Sequence, residues 1–337
     1  MSFFARIMTG IAFVCACGWG GAVVAAEPIK LSYSNFFPPT HIQSKLAEQW
    51  CREVETRSGG QVVIEYYPAG TLTKPKDCYD GVVQRISDIG LSAPGYTKGR
   101  FPVMNGVDLP MGYTSGVQAT AVANAVFGKF TPKEFDDVHV LYFHAHGPGK
   151  LHTAGKPVKT MADLKGMKIR ATGNSASVIT ALGGSPVAMS MPDSYQSIQK
   201  GVVNGGIYPV ETNKGWKMGE VVDYLTDTTA VAYTTTFFVV INKDVWASLP
   251  PEAQKAMTEV SAEWIPKHGQ AWDESDKEGL DFFLGQSGNA VVTMDDQETQ
   301  AWKKAMEPIF VEYEGECAKV GVDGKAVIEF MRASMAQ

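Results

Sequence analysis

Between Lys165 and Val210 the apolar positions change period in a fixed order. Met167–Ala171 alternates as a short strand and delivers Arg170 to a strand end. Asn174 or Ser175 caps a helix over Ala176–Leu182, and Gly183–Gly184 stops it. Pro186–Met189 reads as a second strand, followed by a helix opened by Pro192–Asp193 and closed by Gly201. A third strand at Gly206–Pro209 completes a βαβαβ run, hence a parallel sheet. Ligands of such sheets bind in the crevice beyond the carboxyl ends of the strands, where Arg170 and Tyr208 fall.

The chain before this stretch repeats the alternation. Ile29–Tyr33 is a strand, and Thr40 caps a helix over His41–Arg57 whose buried face carries Ile42, Leu46, Trp50 and Val54. Strands at Val62–Tyr67 and Ile89–Ser92 flank a helix over Asp77–Arg85. Asp108–Tyr113 is a loop, Val117–Phe127 a helix and Val138–His144 a strand ending at Gly147-Pro148-Gly149, a crossover. Val231–Ile241 is a long strand leading back, so two crossings make a hinge. From Pro251 onward the pattern is helical, with Pro266 expected to kink or divide it. The expectation is an α/β chain of two lobes with a parallel-rich sheet in each lobe and C-terminal helices. Residues 27–147 with 235–272 form one lobe, and 148–234 with 273–337 the other.

Composition narrows the class. The chain has 337 residues, 45% hydrophobic and 20% charged, with a net charge of −6. That suits a globular protein with two sizeable cores, and without a Lys/Arg cluster it argues against nucleic-acid or anionic-membrane partners. Residues 1–26 read as a secretory signal: Arg6, the apolar Ile7–Val14, then Val24-Ala25-Ala26 as a site for cleavage after Ala26. The mature chain is therefore expected in the periplasm, without direct membrane insertion. Of the cysteines, Cys51, Cys78 and Cys317 remain. A Cys51–Cys78 bridge is feasible if the first two helices pack side by side; three buried thiols are the other reading.

For chemistry, Arg170 stands out, because a guanidinium grips a carboxylate through two parallel hydrogen bonds. His144, His146 and His152 could be tested as metal ligands, but no carboxylate stands at a diagnostic spacing, and strand-end histidines are the plainer reading. HExxH, GxSxG, GxxxxGK[ST] and GxGxxG are absent, so no enzyme mechanism has a named nucleophile and no cofactor is implied.

Several linked motifs resemble one family: ADLKGMKIR at 162–170, GGSPVAM at 183–189, YQSIQKGVVNGG at 195–206 and KMGEVVDYL at 217–225, with DLPMGY at 108–113 and FFVVINKDVWASLP at 237–250. Together they resemble the DctP-like solute-binding proteins of tripartite ATP-independent periplasmic (TRAP) transporters. The resemblance implies an α/β, two-lobed periplasmic-binding-protein fold with a hinge, and a receptor that takes an organic acid between the lobes and delivers it to a TRAP permease of separate membrane subunits. It implies that Arg170 binds the substrate carboxylate. Lys150 stands near a second family arginine, and Tyr208 where many members have asparagine. Asn35, Phe36, Ser92, Met191, Glu211, Asn213 and Trp216 complete the candidate site, with Glu211 a departure from the family pattern. Phe36, Phe37, Tyr208 and Trp216 suggest an aromatic or apolar-tailed acid. An exported α/β enzyme acting on a small acid and a ligand-sensing module remain the alternatives.

Overall fold

The computed structural model describes residues 27–336; the expected signal segment 1–26 lies outside the described residues. Eleven strands build two sheets. The first sheet contains β1 (Ile29–Asn35), β2 (Val62–Tyr67), β3 (Ile89–Ser92) and β4 (Val138–Ala145). The second contains β5 (Gly149–Thr153), β6 (Lys168–Ala171), β7 (Ser185–Ala188), β8 (Gly205–Pro209) and β9 (Tyr224–Thr226). The chain then returns to the first sheet as β10 (Thr236–Asn242), and β11 (Ala290–Val292) closes the edge of the second. The orders are β2-β1-β3-β10-β4 and β11-β9-β5-β8-β6-β7.

Both sheets are mixed. β1 pairs parallel with β2 and β3, and β6 parallel with β7 and β8, as the alternating pattern requires. β10 runs antiparallel between β3 and β4, and β5 antiparallel between β8 and β9. The chain first enters the second sheet on β5 and returns on β10, and it crosses a third time to β11, which pairs parallel with β9. β10 is buried at every position, as a central strand covered on both faces should be.

The helices of the β1–β2 and β2–β3 crossovers lie on opposite faces of the first sheet, because right-handed crossovers in opposite directions place them so. Helix Ile42–Arg57 packs Trp50, Cys51 and Val54 with Leu31, Val239 and Ile241. The short helix Cys78–Val83 puts Tyr79 and Val82 with Phe238 and Val240 on the other face. This overturns the Cys51–Cys78 bridge: the sheet separates the two helices, and Cys51, Cys78 and Cys317 are all free and buried. Burial pushes the Cys78 thiol up to about 12, so it is inert at neutral pH.

Three local expectations also change. The cap of the first helix is His41, whose Nδ1 accepts from the Gln43 N–H at 3.2 Å, one residue beyond Thr40. Pro266 sits inside a continuous helix, Pro251–Leu284, of 34 residues, and does not divide it. Val231–Ile241 is strand only from Thr236; the preceding residues make a short turn at Thr229–Val231.

The long helix joins the halves. It packs on Ile42–Arg57 and Gly116–Phe130, then reaches the Thr212–Gly215 turn beyond β8. The final helix, Gly324–Met335, packs on Gly116–Phe130. None of the described helices is long and apolar enough to cross a membrane.

Gly279 shows how tightly the long helix sits. A Cβ there would lie 2.3 Å from the Val210 carbonyl oxygen and 2.7 Å from Glu211 Cα. Helix propensity alone favours Gly279→Ala by about 1 kcal/mol. Because backbone blocks the new methyl, the substitution should instead destabilise the protein by at least about 1 kcal/mol, measured by denaturant unfolding. Stabilisation would show that the helix and the 210–211 segment are not in this contact.

Candidate functional site

β6 and β8 are parallel neighbours, so their carboxyl ends open on the same edge. From that edge Arg170 and Tyr208 enter a small buried cavity between the sheets. Arg170 is 4% exposed. Its Nε donates to the Met189 carbonyl at 3.1 Å and its Nη1 to the Ile207 carbonyl at 3.4 Å. Among the described residues no carboxylate lies within ion-pair distance of it; every recorded pair involves other groups. The guanidinium is held in place by neutral acceptors, with donors left over toward the cavity.

The remaining walls are aromatic. Phe36 stacks on Phe37 with centroids 4.3 Å apart and faces Trp216 at 6.3 Å, while Phe237 stacks on Trp272 at 5.5 Å. Tyr96 reaches over from beyond β3, and its hydroxyl accepts from the Met191 N–H at 3.3 Å. A larger groove of about 1000 Å³ runs outside, and Tyr96 and Thr172 line both spaces. The inner cavity is the candidate site because it alone holds the buried, unpaired guanidinium.

Polar ties from the two sheets meet around it. His41 Nε2 lies 2.9 Å from Glu211 Oε2, both residues being buried. Since His41 Nδ1 already accepts from Gln43, its ring proton sits on Nε2 and is donated to Glu211. The Glu211 N–H in turn donates to Asp276 Oδ1 at 2.8 Å, from the long helix. Burial pushes Asp276 up to about 8, with the Glu211 and Asp273 charges adding to it, so it keeps its proton at neutral pH. Asn174 Nδ2 donates to the Asn105 carbonyl on the wall of the larger outer groove. Beside it Gly173, at φ 51°, brings its backbone against Gly95; a Cβ on Gly173 would lie 3.0 Å from Gly95 Cα.

Comparison with known proteins fits this architecture. Residues 33–316 match the family described as bacterial extracellular solute-binding protein, family 7 (DctP). The chain belongs to this family. A TRAP solute-binding protein of Rhodoferax ferrireducens in complex with copurified benzoate is 29% identical, with a TM-score of 0.85 over 91% of this chain and 98% of the other. A TRAP periplasmic solute-binding protein of Bordetella bronchiseptica with bound (R)- and (S)-mandelate is 28% identical, with a TM-score of 0.86 over 92% and 99%. The C4-dicarboxylate-binding protein DctB of Bacillus subtilis is 26% identical over 297 residues, 86% of this chain and 83% of its own. The two-lobed DctP resemblance read from the sequence is thereby borne out.

Of the residues singled out in this DctP-family chain, the cavity brings together Arg170, Tyr208, Phe36, Met191, Glu211 and Trp216. Four others are placed elsewhere. Lys150 is held by Asp227 and Thr229, because β5 and β9 pair in a register that sets Leu151 opposite Thr226. Asn35 Oδ1 accepts from the Phe37 N–H at 2.9 Å and so shapes the aromatic turn. Ser92 Oγ donates to the Pro75 carbonyl at 2.6 Å, and Asn213 Nδ2 meets His152 Nε2 at 3.2 Å beneath the wall.

Sequence reasoning missed Tyr96, Thr172, Tyr233, Phe237 and Trp272 as lining residues. Phe237 lay in a motif already quoted, but its inward face follows from β10 pairing across the sheet. Trp272 lies on a helix 34 residues long, where period alone gives no absolute orientation. Of the histidines tested as ligands, His146 lines the cavity, and His144 Nδ1 accepts from Trp272 Nε1 at 3.1 Å. No group of three His, Cys, Asp or Glu among the described residues is placed to hold a metal ion.

These buried groups give stability a particular pH dependence. Burial pushes His146, His152 and His268 down to about 3. It pushes Asp108 and Glu134 up to about 7, and Asp276 to about 8. Between the ordinary carboxyl and histidine values the two sets oppose each other, the folded chain refusing protons at these histidines and keeping them on these carboxyls, so their effects on stability largely cancel there. Above neutrality the folded chain must ionise carboxyls that are already ionised when unfolded, so stability falls as pH rises through 7 and 8. Melting temperature should therefore fall from roughly pH 6.5 to pH 8.5. A melting temperature rising steadily from pH 5 to 9 would contradict these burials.

Proposed function

We propose that the chain is an extracytoplasmic receptor that binds an organic acid in the inter-lobe cavity and delivers it to a TRAP permease. The observation that carries this is Arg170: a buried guanidinium, braced by two carbonyls, with no acid of its own. A buried charge left unpaired costs several kcal/mol, and a ligand carboxylate relieves that cost while fixing its own orientation. The aromatic walls suit an aromatic or apolar-tailed acid, in keeping with relatives that hold benzoate and mandelate.

In this reading residues 27–147 with 235–272 move as one lobe. Residues 148–234 with the segment after 273 form the other, except that Gly324–Met335 travels with Gly116–Phe130, on which it packs. The ties His41–Glu211, Tyr96–Met191 and Asn174–Asn105 form on closure. Closure removes water from the Arg170–carboxylate pair and strengthens it, and it gives the permease a shape to recognise. The signal is cleaved after Ala26 and the mature receptor acts in the periplasm. It is not an enzyme: the acid leaves unchanged and no cofactor takes part.

Arg170→Ala should weaken binding of the best acid at least tenfold, about 1.4 kcal/mol, with an unchanged circular-dichroism spectrum. Arg170→Lys should recover only part of the loss, because an ammonium lacks the planar fork. Calorimetric titration of both variants checks this, and wild-type affinity in Arg170→Ala would remove the residue from the site.

A further inference from the structure

The cavity has a second polar pole that a plain carboxylate does not use. Glu211 is 2% exposed and lines the cavity. One of its oxygens accepts from His41; the other has no hydrogen-bond partner among the described residues. The histidine caps its helix through Nδ1, which accepts from the Gln43 N–H, and so meets Glu211 through Nε2 alone. The nearby lysines are committed, Lys150 to Asp227 and Lys214 to Glu278. Glu211 thus presents a buried carboxyl oxygen that is free to accept a hydrogen bond.

A second acceptor sits on the same cavity. His146 Nδ1 faces the Gly147 carbonyl, which can only accept, so Nδ1 carries the proton and Nε2 keeps its lone pair. The Tyr208 hydroxyl, also on the wall, is buried without a partner. Arg170 answers the carboxylate; Glu211 and His146 can answer only a donor. A buried acceptor left unpaired in the complex costs free energy, and one that meets a donor recovers it.

We infer that the ligand carries, besides its carboxylate, a hydrogen-bond donor — a hydroxyl or an amino group — and that Glu211 is the residue that selects for it. The inference rests on the receptor reading above and deepens it. His41 is the positioning residue: it comes from the β1–β2 crossover of one sheet to hold Glu211 beyond β8 of the other. Donor recognition is therefore complete only when the lobes have met. A site built to hydrogen-bond a ligand group discriminates strongly against the analogue lacking it.

The test is calorimetric titration of the mature chain with matched acids. Mandelate and phenylglycine are compared with phenylacetate, 3-hydroxybenzoate and 3-aminobenzoate with benzoate, and lactate with propionate. Each hydroxy acid is also run as its O-methyl ether, and the amino arms separate an amine preference from a hydroxyl preference. At least one donor-bearing acid should bind ten times more tightly than both its parent and, where made, its ether. Glu211→Gln keeps the size and can still accept from His41, but turns an amide N–H toward the cavity, so that tenfold ratio should fall below threefold. If donor-bearing acids and parents bind alike in the wild type, or if the ratio survives in Glu211→Gln, the inference is wrong while the carboxylate receptor stands. If no acid of any kind binds, the receptor reading falls with it.

Discussion

An arginine buried between two sheets without an acid is the constraint to which the rest of this molecule answers. Arg170 can occupy that place only because the ends of β7 and β8 turn carbonyl oxygens toward it, from Met189 and Ile207. Those oxygens align the guanidinium but do not cancel its charge. Among the described residues the guanidinium has no carboxylate partner, and in the proposed reading the ligand supplies it. In that reading, affinity for a carboxylate and the energetic reason for closure share this one origin.

The surroundings keep that charge from being satisfied cheaply. Glu211, the acid nearest at hand among the lining residues, is held by His41 and, through its backbone, by a protonated Asp276 on the long helix. Gly279, one turn further along, lets the helix press on the Val210–Glu211 backbone and fixes where that carboxylate sits. A second acid that could swing onto Arg170 would compete with the ligand. Tethering it from both lobes leaves two separated poles in an aromatic box.

Much of this was legible in the sequence, for local reasons. The strands at Val62–Tyr67 and Ile89–Ser92 match to the residue, because both are short apolar runs bounded by turn formers. Arg170 could be read because a strand end followed by Gly173 places a side chain at the mouth of a parallel sheet. Lys150 could not: its capture by Asp227 depends on the pairing of β5 with β9, 77 residues apart in sequence. The same holds for the cysteines, since which face of a sheet a helix takes is set by crossover direction and not by its own period. Trp272 and Tyr96 reach the cavity from segments on either side of the candidate stretch, so only the folded chain shows them together. Pro266 misled because a proline forfeits one hydrogen bond, which packing against Ile42–Arg57 and Gly116–Phe130 outweighs in a long helix.

The most direct test of the central claim is a calorimetric comparison, on the unmodified mature chain, of the tightest-binding acid with its own primary amide. The amide matches the acid in shape and differs by one charge and one acceptor. If Arg170 is an unpaired cation waiting for a carboxylate, the amide should bind at least a hundredfold more weakly, about 2.7 kcal/mol. Equal affinity for acid and amide would mean that the guanidinium is a structural brace and that recognition lies with the aromatic walls.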